Sequence, residues 1–384
     1  MVSADVLTLA DLAADPHPHL ARLRAAGPVV WVEALGGWLV TAREPAVRVM
    51  RDAETFTVDD PRFTTARVIG PSMLSLDGDA HARHREPFVE PFKPRAVHAA
   101  FAETIRDEAD RLLDALAPAG AGELRRGFAG PLAAVVMADV LGLADVPVPE
   151  VLGWYDAIVR AVDRLTRGEE AGAEGPAAYA ALREAVAATL RTGDGGSLLV
   201  GAAGRLGLPE VASNAAVLLF GGIETTEGMI VNALYHLLSE PSCADAVRDD
   251  PALLDGAVEE SLRLEPGAAV VDRYATREAE FYGARIAEGD LVVVSLAGAN
   301  RDPGVFPEPD RFDPRRANSR LQLAFAHGPH YCLGAHLARL EAVTALRACF
   351  ERLPGLRLDQ DRPSAPYGLV FRKPQELAAR WDAP

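Results

Sequence analysis

The chain has 384 residues, 49% of them hydrophobic, and a formal net charge of −16. That acidic balance, with no dense basic cluster to offset it, excludes nucleic acid as a partner. No positively charged start followed by an apolar run marks a signal peptide, and no window approaches the ~20 uncharged apolar residues of a membrane helix, so a cytoplasmic chain free of the membrane is expected.

At ~100–200 residues per domain the length allows more than one unit. The most linker-like stretches, APAGAGE (117–123) and RGEEAGAEGPA (167–177), are short and flanked by helical pattern. They read as surface loops, so one domain over 1–384 is expected. The three cysteines, Cys243, Cys332 and Cys349, cannot all pair and share no C-x-x-C spacing.

In chain order, HPHLARLRAAG (17–27) reads as a helix and PVVWVEALGGWLVTA (28–42) as strands. Residues 95 to 240 carry helical periodicity with little β-branched alternation. The longest element, 208–241, is apolar on nearly all sides, as befits a helix through the middle of a large core. PALLDGAVEESLRLEP (251–266) is a helix stopped by Pro266, and AEFYGARIAEGDLVVVSL (279–296) reads as short strands turning at Glu288-Gly289-Asp290. An irregular Pro/Phe/Asp/Arg stretch (301–316) precedes FAHGPHYCLGAHLARLE (325–341), whose last part is helical, with its first turn starting near Cys332. The chain is mainly α with a minor β region.

His327, His330, Cys332 and His336 invite a metal. Structural zinc wants four ligands from paired short spacings, whereas Gly328 and Pro329 bend the chain between the first two histidines and no second pair lies nearby. A free core cysteine among surface histidines is the bland alternative. Against it, Cys332 stands at the start of a helix, where free N–H groups favour a thiolate. A thiolate so placed suits a haem iron, with Phe325 and Gly328 letting the loop lie flat beneath the ring. Within the long helix, FGGIETTEG holds two adjacent glycines, each costing about 1 kcal/mol relative to alanine. They are read as giving a flat cofactor or substrate access to the backbone, while Thr225 bonds into a locally widened turn.

Phe325-x-x-Gly328-x-x-x-Cys332-x-Gly334 resembles the haem-binding loop of the cytochrome P450 family, with Ala326 where that family usually has a small polar residue or glycine. The segment Gly221, Gly222, Glu224, Thr225 resembles its oxygen-activating helix, and Glu260-x-x-Arg263 with Arg316 its buried charge network behind the haem. His81-x-x-x-Arg85, Arg273 and His330 match its contacts to the haem propionates. Pro87, Pro91, Glu86 and Glu90 depart from its usual helix.

The resemblance implies a cytochrome P450 fold with haem b between the long helix and the cysteine loop. It implies Cys332 as axial ligand, Glu224 and Thr225 as the acid–alcohol pair for protons, and His81, Arg85, Gly221, Gly222, Arg273, Phe325, Gly328, His330 and Gly334 at the cofactor. The reaction implied is insertion of one oxygen atom from O2 into an organic substrate. Electrons would come from a separate ferredoxin and ferredoxin reductase, since no flavin or nicotinamide domain is fused. Arginines 311, 315, 316, 320, 339 and 347, against only Asp313 and Glu341 within 311–350, suggest a basic docking face on a monomeric enzyme.

By the same resemblance Arg67, Val217, Ala269, Val270, Leu369 and Val370 border the substrate. A small, apolar lining favours a bulky hydrophobic molecule, such as a secondary metabolite. Aryl coupling, epoxidation, ring closure or peroxide use remain open as alternative outcomes, and a haem sensor without turnover has no need of Glu224-Thr225.

Overall fold

The computed structural model describes residues 7–143, 145–193 and 197–383. Helices carry most of it. A central helix, Leu208–Ser239, runs through the core with its faces against the helices Gly130–Leu141, Glu174–Thr192, Leu254–Leu264 and Ala335–Arg352. By length and composition it is apolar enough to cross a membrane, but most of its apolar window is buried inside the protein. Its apolarity is that of a helix enclosed by other helices.

The β part is small. One five-stranded sheet has the order Val29–Val32, Gly37–Val40, Leu291–Ser295, Val270–Ala275, Phe56–Thr57. Only the pairing of Gly37–Val40 with Leu291–Ser295 is parallel; the alternation of VVWV and GWLV gives the adjacent hairpin. Strand Val270–Ala275 matters most here, because Arg273 sits on it opposite Val292.

Three details differ from expectation. Within 117–123, residues Ala121–Glu123 form an edge strand paired with Ala378–Arg380, so this stretch belongs to a sheet and is not simply a loop. In 167–177 the next helix already starts at Glu174. Pro87 lies inside the helix Gly78–Val89 without ending it; the chain instead tightens into a 3-10 turn at Glu90–Phe92 and restarts at Pro94.

Candidate functional site

The cysteine loop is folded by its own backbone. Cys332 N–H donates to Phe325 O at 2.9 Å, Tyr331 N–H to Gly328 O at 3.0 Å and Ala326 N–H to Leu323 O at 2.8 Å. Gly328 has φ +75°, and a Cβ there would stand 2.4 Å from Met50 O. Glycine is needed at this position because the loop lies on the C-terminal end of helix Arg43–Arg51. Ala326 is also left-handed, φ +57°, at a cost of about 1 kcal/mol that glycine would not incur. At Gly334 an added Cβ would meet Phe92 at 4.0 Å, an ordinary contact. Phe325 is buried and carries the Arg339 guanidinium over its ring at 4.3 Å, and Arg339 is paired with Glu259.

The helix after the loop starts at Ala335, three residues later than the sequence suggests, so His336 lies at its first turn and Cys332 outside it. The Gly334 N–H still reaches the sulfur. Yet burial pushes the Cys332 thiol up, outweighing that hydrogen bond and the nearby Arg85 and Arg339. The protein alone therefore favours the thiol, contrary to the helix-start argument. A bound iron would remove that proton.

Around the loop stands a cationic edge. His330 Nε2 is 2.8 Å from Asp77 Oδ1, and Asp77 Oδ2 accepts from Thr57 Oγ1 at 2.7 Å and Val58 N–H at 2.8 Å. Burial raises the Asp77 carboxyl, but His330, Thr57 and Val58 together hold it below the usual range. His81 is buried, with its ring tilted against that of His330 at 4.3 Å between centroids. Its Nε2 has no partner among the described residues, and burial, with His330 and Arg85 close by, pushes its pKa down to about 4. Arg273 is 4% exposed; its guanidinium donates only to the neighbouring Asp272 O at 2.7 Å among the described residues, and burial lowers it to about 10. Arg85 donates to Tyr331 O at 2.6 Å. A buried guanidinium with only a backbone acceptor is costly, and so is a buried imidazole nitrogen without a partner. A haem fits here, because its two propionates supply the missing acceptors beside Cys332. Among the described residues no three His, Cys, Asp or Glu side chains converge on one point to hold a bare metal ion.

On the central helix the two glycines part company. A Cβ on Gly221 would meet nothing within 4 Å, whereas one on Gly222 would lie 2.3 Å from Met137 Sδ. Gly221 faces open space, whereas Gly222 gives close contact with Met137 of helix Gly130–Leu141. Thr225 Oγ1 donates to Gly221 O at 2.6 Å, within a helix that is α throughout, with no widened turn.

Glu224 is not a free acid. Its Oε1 lies 2.7 Å from Lys373 Nζ and its Oε2 accepts from the Tyr155 hydroxyl. Lys373 also reaches Glu227 Oε2 at 2.5 Å, and Arg125 closes on Glu227 at 3.1 Å. Burial pushes Glu227 up, but Lys373, Arg125 and Arg126 hold it below its ordinary value. The Tyr155 phenol is driven upward, first by burial and then by the two carboxylates. Sequence reasoning missed Lys373, Tyr155 and Glu227. The available signal was faint: Lys373 is one of only two lysines in the chain.

The anticipated charge network is assembled. Arg263 is fully buried, with Nε and Nη2 on Glu260 at 2.7 and 2.8 Å and further donation to Asn300 O, Pro309 O and Arg311 O. Arg316 Nε joins Glu260 Oε1 at 2.7 Å. Every donor has an acceptor, as a buried network requires.

Of the residues expected at the substrate, Val217 and Ala269 are buried, and Ala269 N–H donates to Val370 O at 2.7 Å, which sets the segment of Ala269 and Val270 beside that of Leu369 and Val370. Arg67 does not belong with them. Helix Thr64–Ile69 buries Thr65, Val68 and Ile69 and leaves Arg67 exposed. Of the six arginines between 311 and 350, Arg311, Arg316 and Arg339 are consumed by Glu308, Glu260 and Glu259. Arg315, Arg320 and Arg347 are exposed and in no ion pair among the described residues.

A cysteine in a glycine-bent loop, a long central helix with one open glycine, and an edge of histidine and arginine short of acceptors are the features that a haem–thiolate protein requires. The Cytochrome P450 family profile matches residues 198–375. The chain is 38% identical over 370 residues to cytochrome P450 monooxygenase PikC of Streptomyces venezuelae, covering 91% of this chain and 86% of that one. It is 35% identical to nocardicin C N-oxygenase of Nocardia uniformis subsp. tsuyamanensis, covering 96% of each. The solved structure of HmtN, a post-tailoring hydroxylase involved in himastatin biosynthesis, superposes with a TM-score of 0.83 at 29% identity, over 98% of this chain and all of that one. The chain belongs to the cytochrome P450 family. It is a monooxygenase-type oxidoreductase, and its cofactor is haem b.

Proposed function

We propose that the chain oxidises a bulky, mostly hydrophobic molecule in the biosynthesis of a natural product, using O2 and electrons from a ferredoxin and its reductase. The observation that carries the haem-dependent reading is the unpartnered His81 Nε2, beside His330 of the cysteine loop, together with the buried Arg273 guanidinium, which has only a backbone acceptor among the described residues. Cys332 would hold the iron, while Arg85, His81 and Arg273 would fix the propionates. His330, tied to Asp77, would orient His81 from behind.

When bound, the cofactor supplies reductive O2 activation and transfer of one oxygen atom. The chain holds the proton donors: Thr225 next to the open face of Gly221, and Glu224 one residue away with its carboxylate on Lys373. For Glu224 to pass a proton inward it must leave Lys373 and Tyr155. Glu260, Arg263 and Arg316 hold the backbone behind the loop and touch no reacting atom. Exposed Arg315, Arg320 and Arg347 would meet an acidic ferredoxin. The substrate class is supported by the apolar wall of Val217, Ala269, Val270, Leu369 and Val370 and by the biosynthetic setting printed for HmtN. A monomer in the cytoplasm is the setting proposed.

The test is the spectrum of the reduced protein under carbon monoxide, repeated with Cys332→Ser. A strongly red-shifted Soret band that the substitution abolishes is expected. A band that survives unshifted would remove Cys332 as the ligand. In the active holoenzyme, Thr225→Ala is expected to divert reducing equivalents into released hydrogen peroxide.

A further inference from the structure

The two segments bordering the proposed substrate side, 267–271 and 368–372, are built as one piece. Ala269 N–H donates to Val370 O at 2.7 Å, Arg372 N–H donates to Gly267 O at 3.1 Å, and Ala268 bridges Phe371. Phe371 meets the Phe220 ring edge-on at 5.3 Å, one residue ahead of the open Gly221. Little regular pairing holds this arrangement: the hairpin that carries 368–371 has only two residues in each strand, Pro366–Tyr367 and Lys373–Pro374. A ladder that short does not fix its own position.

What fixes it is a carboxylate at the root of both segments. Glu265 follows helix Leu254–Leu264 and is 4% exposed. Its Oε1 accepts from Arg372 Nε at 2.6 Å, and its Oε2 lies 2.9 Å from His17 Nε2 on helix Pro16–Ala26. Arg372, also buried, spends its other nitrogens on backbone: Nη1 on Ala13 O and Gly368 O, both at 2.7 Å, and Nη2 on Pro366 O at 3.0 Å. Gly368 N–H returns to Ala13 O at 2.9 Å. Asn232, on the helix that carries Thr225, donates to Glu265 O at 3.0 Å and Arg372 O at 2.9 Å. The Glu265 carboxylate thus ties the 368–372 segment, through Arg372, to the N-terminal helix, through His17, while the Glu265 and Arg372 backbone carbonyls meet Asn232 of the central helix and the Arg372 N–H reaches Gly267 of the other segment. His17 and Arg372 hold the Glu265 carboxyl below its ordinary value despite its burial.

We propose that Glu265 is a positioning residue that, through Arg372 and His17, sets the separation of the two walls and thereby the shape of ligand accepted beside Gly221. It rests on the reading of Ala269, Val270, Leu369 and Val370 as substrate-bordering. Neither Glu265, Arg372 nor His17 needs to touch the ligand; each acts through the backbone it holds. A change at this junction should alter which ligands bind without altering the iron's own ligation, whereas a merely structural role would weaken every ligand alike.

The test uses the haem-loaded full chain and two azoles that bind iron through nitrogen. Imidazole is small and insensitive to the walls; 4-phenylimidazole must fit between them. For Glu265→Gln, the carbon monoxide band and imidazole affinity are expected to stay within about twofold of the parent, while phenylimidazole affinity falls by about tenfold. His17→Ala, which leaves the Glu265–Arg372 pair intact, should give a smaller loss of the same kind, and it decides the matter if Glu265→Gln does not retain haem. Parallel losses for both azoles, or an unchanged phenylimidazole affinity, overturn the proposal. Val370→Trp separates the underlying reading: if it leaves phenylimidazole binding untouched, these segments do not border the ligand and the proposal falls with them. If it blocks phenylimidazole while Glu265→Gln does not disturb it, the positioning role alone is refuted.

Discussion

Lys373 Nζ lies 2.7 Å from Glu224 Oε1, joining the strand Lys373–Pro374 to the acid that adjoins Thr225. The same nitrogen serves Glu227, so one buried cation answers two carboxylates one helical turn apart. Replacing Lys373 by Met leaves both acids without it, and removing one partner of a buried charge pair costs roughly 3–5 kcal/mol. Urea unfolding of the variant should show a loss of that order. A change below about 1 kcal/mol would mean that Arg125, Arg126 and Tyr155 suffice.

The adjacent glycines predict opposite results. Gly222→Ala drives a methyl against Met137 Sδ and should destabilise by about 1–3 kcal/mol, with Met137→Ala relieving the loss in the double variant. Gly221→Ala meets nothing and should gain up to about 1 kcal/mol of helix stability. Its methyl enters the open side, so azole affinity is expected to drop there and not in Gly222→Ala. Thermal unfolding and azole titration of both variants check the assignment.

Arg273 predicts a change of sign between the two states of the protein. Without haem its guanidinium is buried with one backbone acceptor, so Arg273→Met should stabilise the haem-free chain. With haem it would lose a charge-assisted bond worth about 1.5–3 kcal/mol and release the cofactor faster. Transfer of haem to an excess of a haem-scavenging globin measures the second effect. Equal release rates would place the propionates elsewhere.

Glu341 gives a pH signature. It is 1% exposed, its Oε1 has no partner among the described residues, and burial raises its pKa to about 8. An acid whose folded pKa is raised keeps its proton in the native state while the unfolded chain releases it. The stability cost is therefore absent below the ordinary carboxyl pKa, grows as pH rises from there to about 8, and then levels off. Glu341→Gln should flatten that part of the stability profile and leave acidic stability unchanged. A profile that keeps its slope in the variant would assign the proton to another group.

Much of the site could be read from residues close in sequence. The loop from Phe325 to Gly334 is local, and the resemblance it carries brought in the Glu260–Arg263 pair and the distant Arg316. Contacts across the chain outside that resemblance were not legible. Lys373 reaches Glu224 O from 149 residues away, and no pattern near either residue announces it. Arg67 failed for a different reason: its helix is one short turn and a half whose inward face is set by its neighbours, and the charge turned to solvent. Cys332 shows a competition the sequence cannot weigh, since the hydrogen bond at the helix start was visible but the larger effect of burial was not. At Gly222 a missing side chain can serve a neighbouring helix as well as a cofactor, and the contact with Met137 could not be read from the sequence.

Arg372 grips the carbonyl of Ala13 from 359 residues further along the chain. During synthesis at about 5–20 residues per second, that partner emerges tens of seconds after the helix Leu9–Ala14 does. The first helix therefore waits undocked while the rest of the protein is made, and its seating is among the last events of folding. Nascent chains halted before residue 372 should leave that segment open to protease, and release of the finished chain should close it.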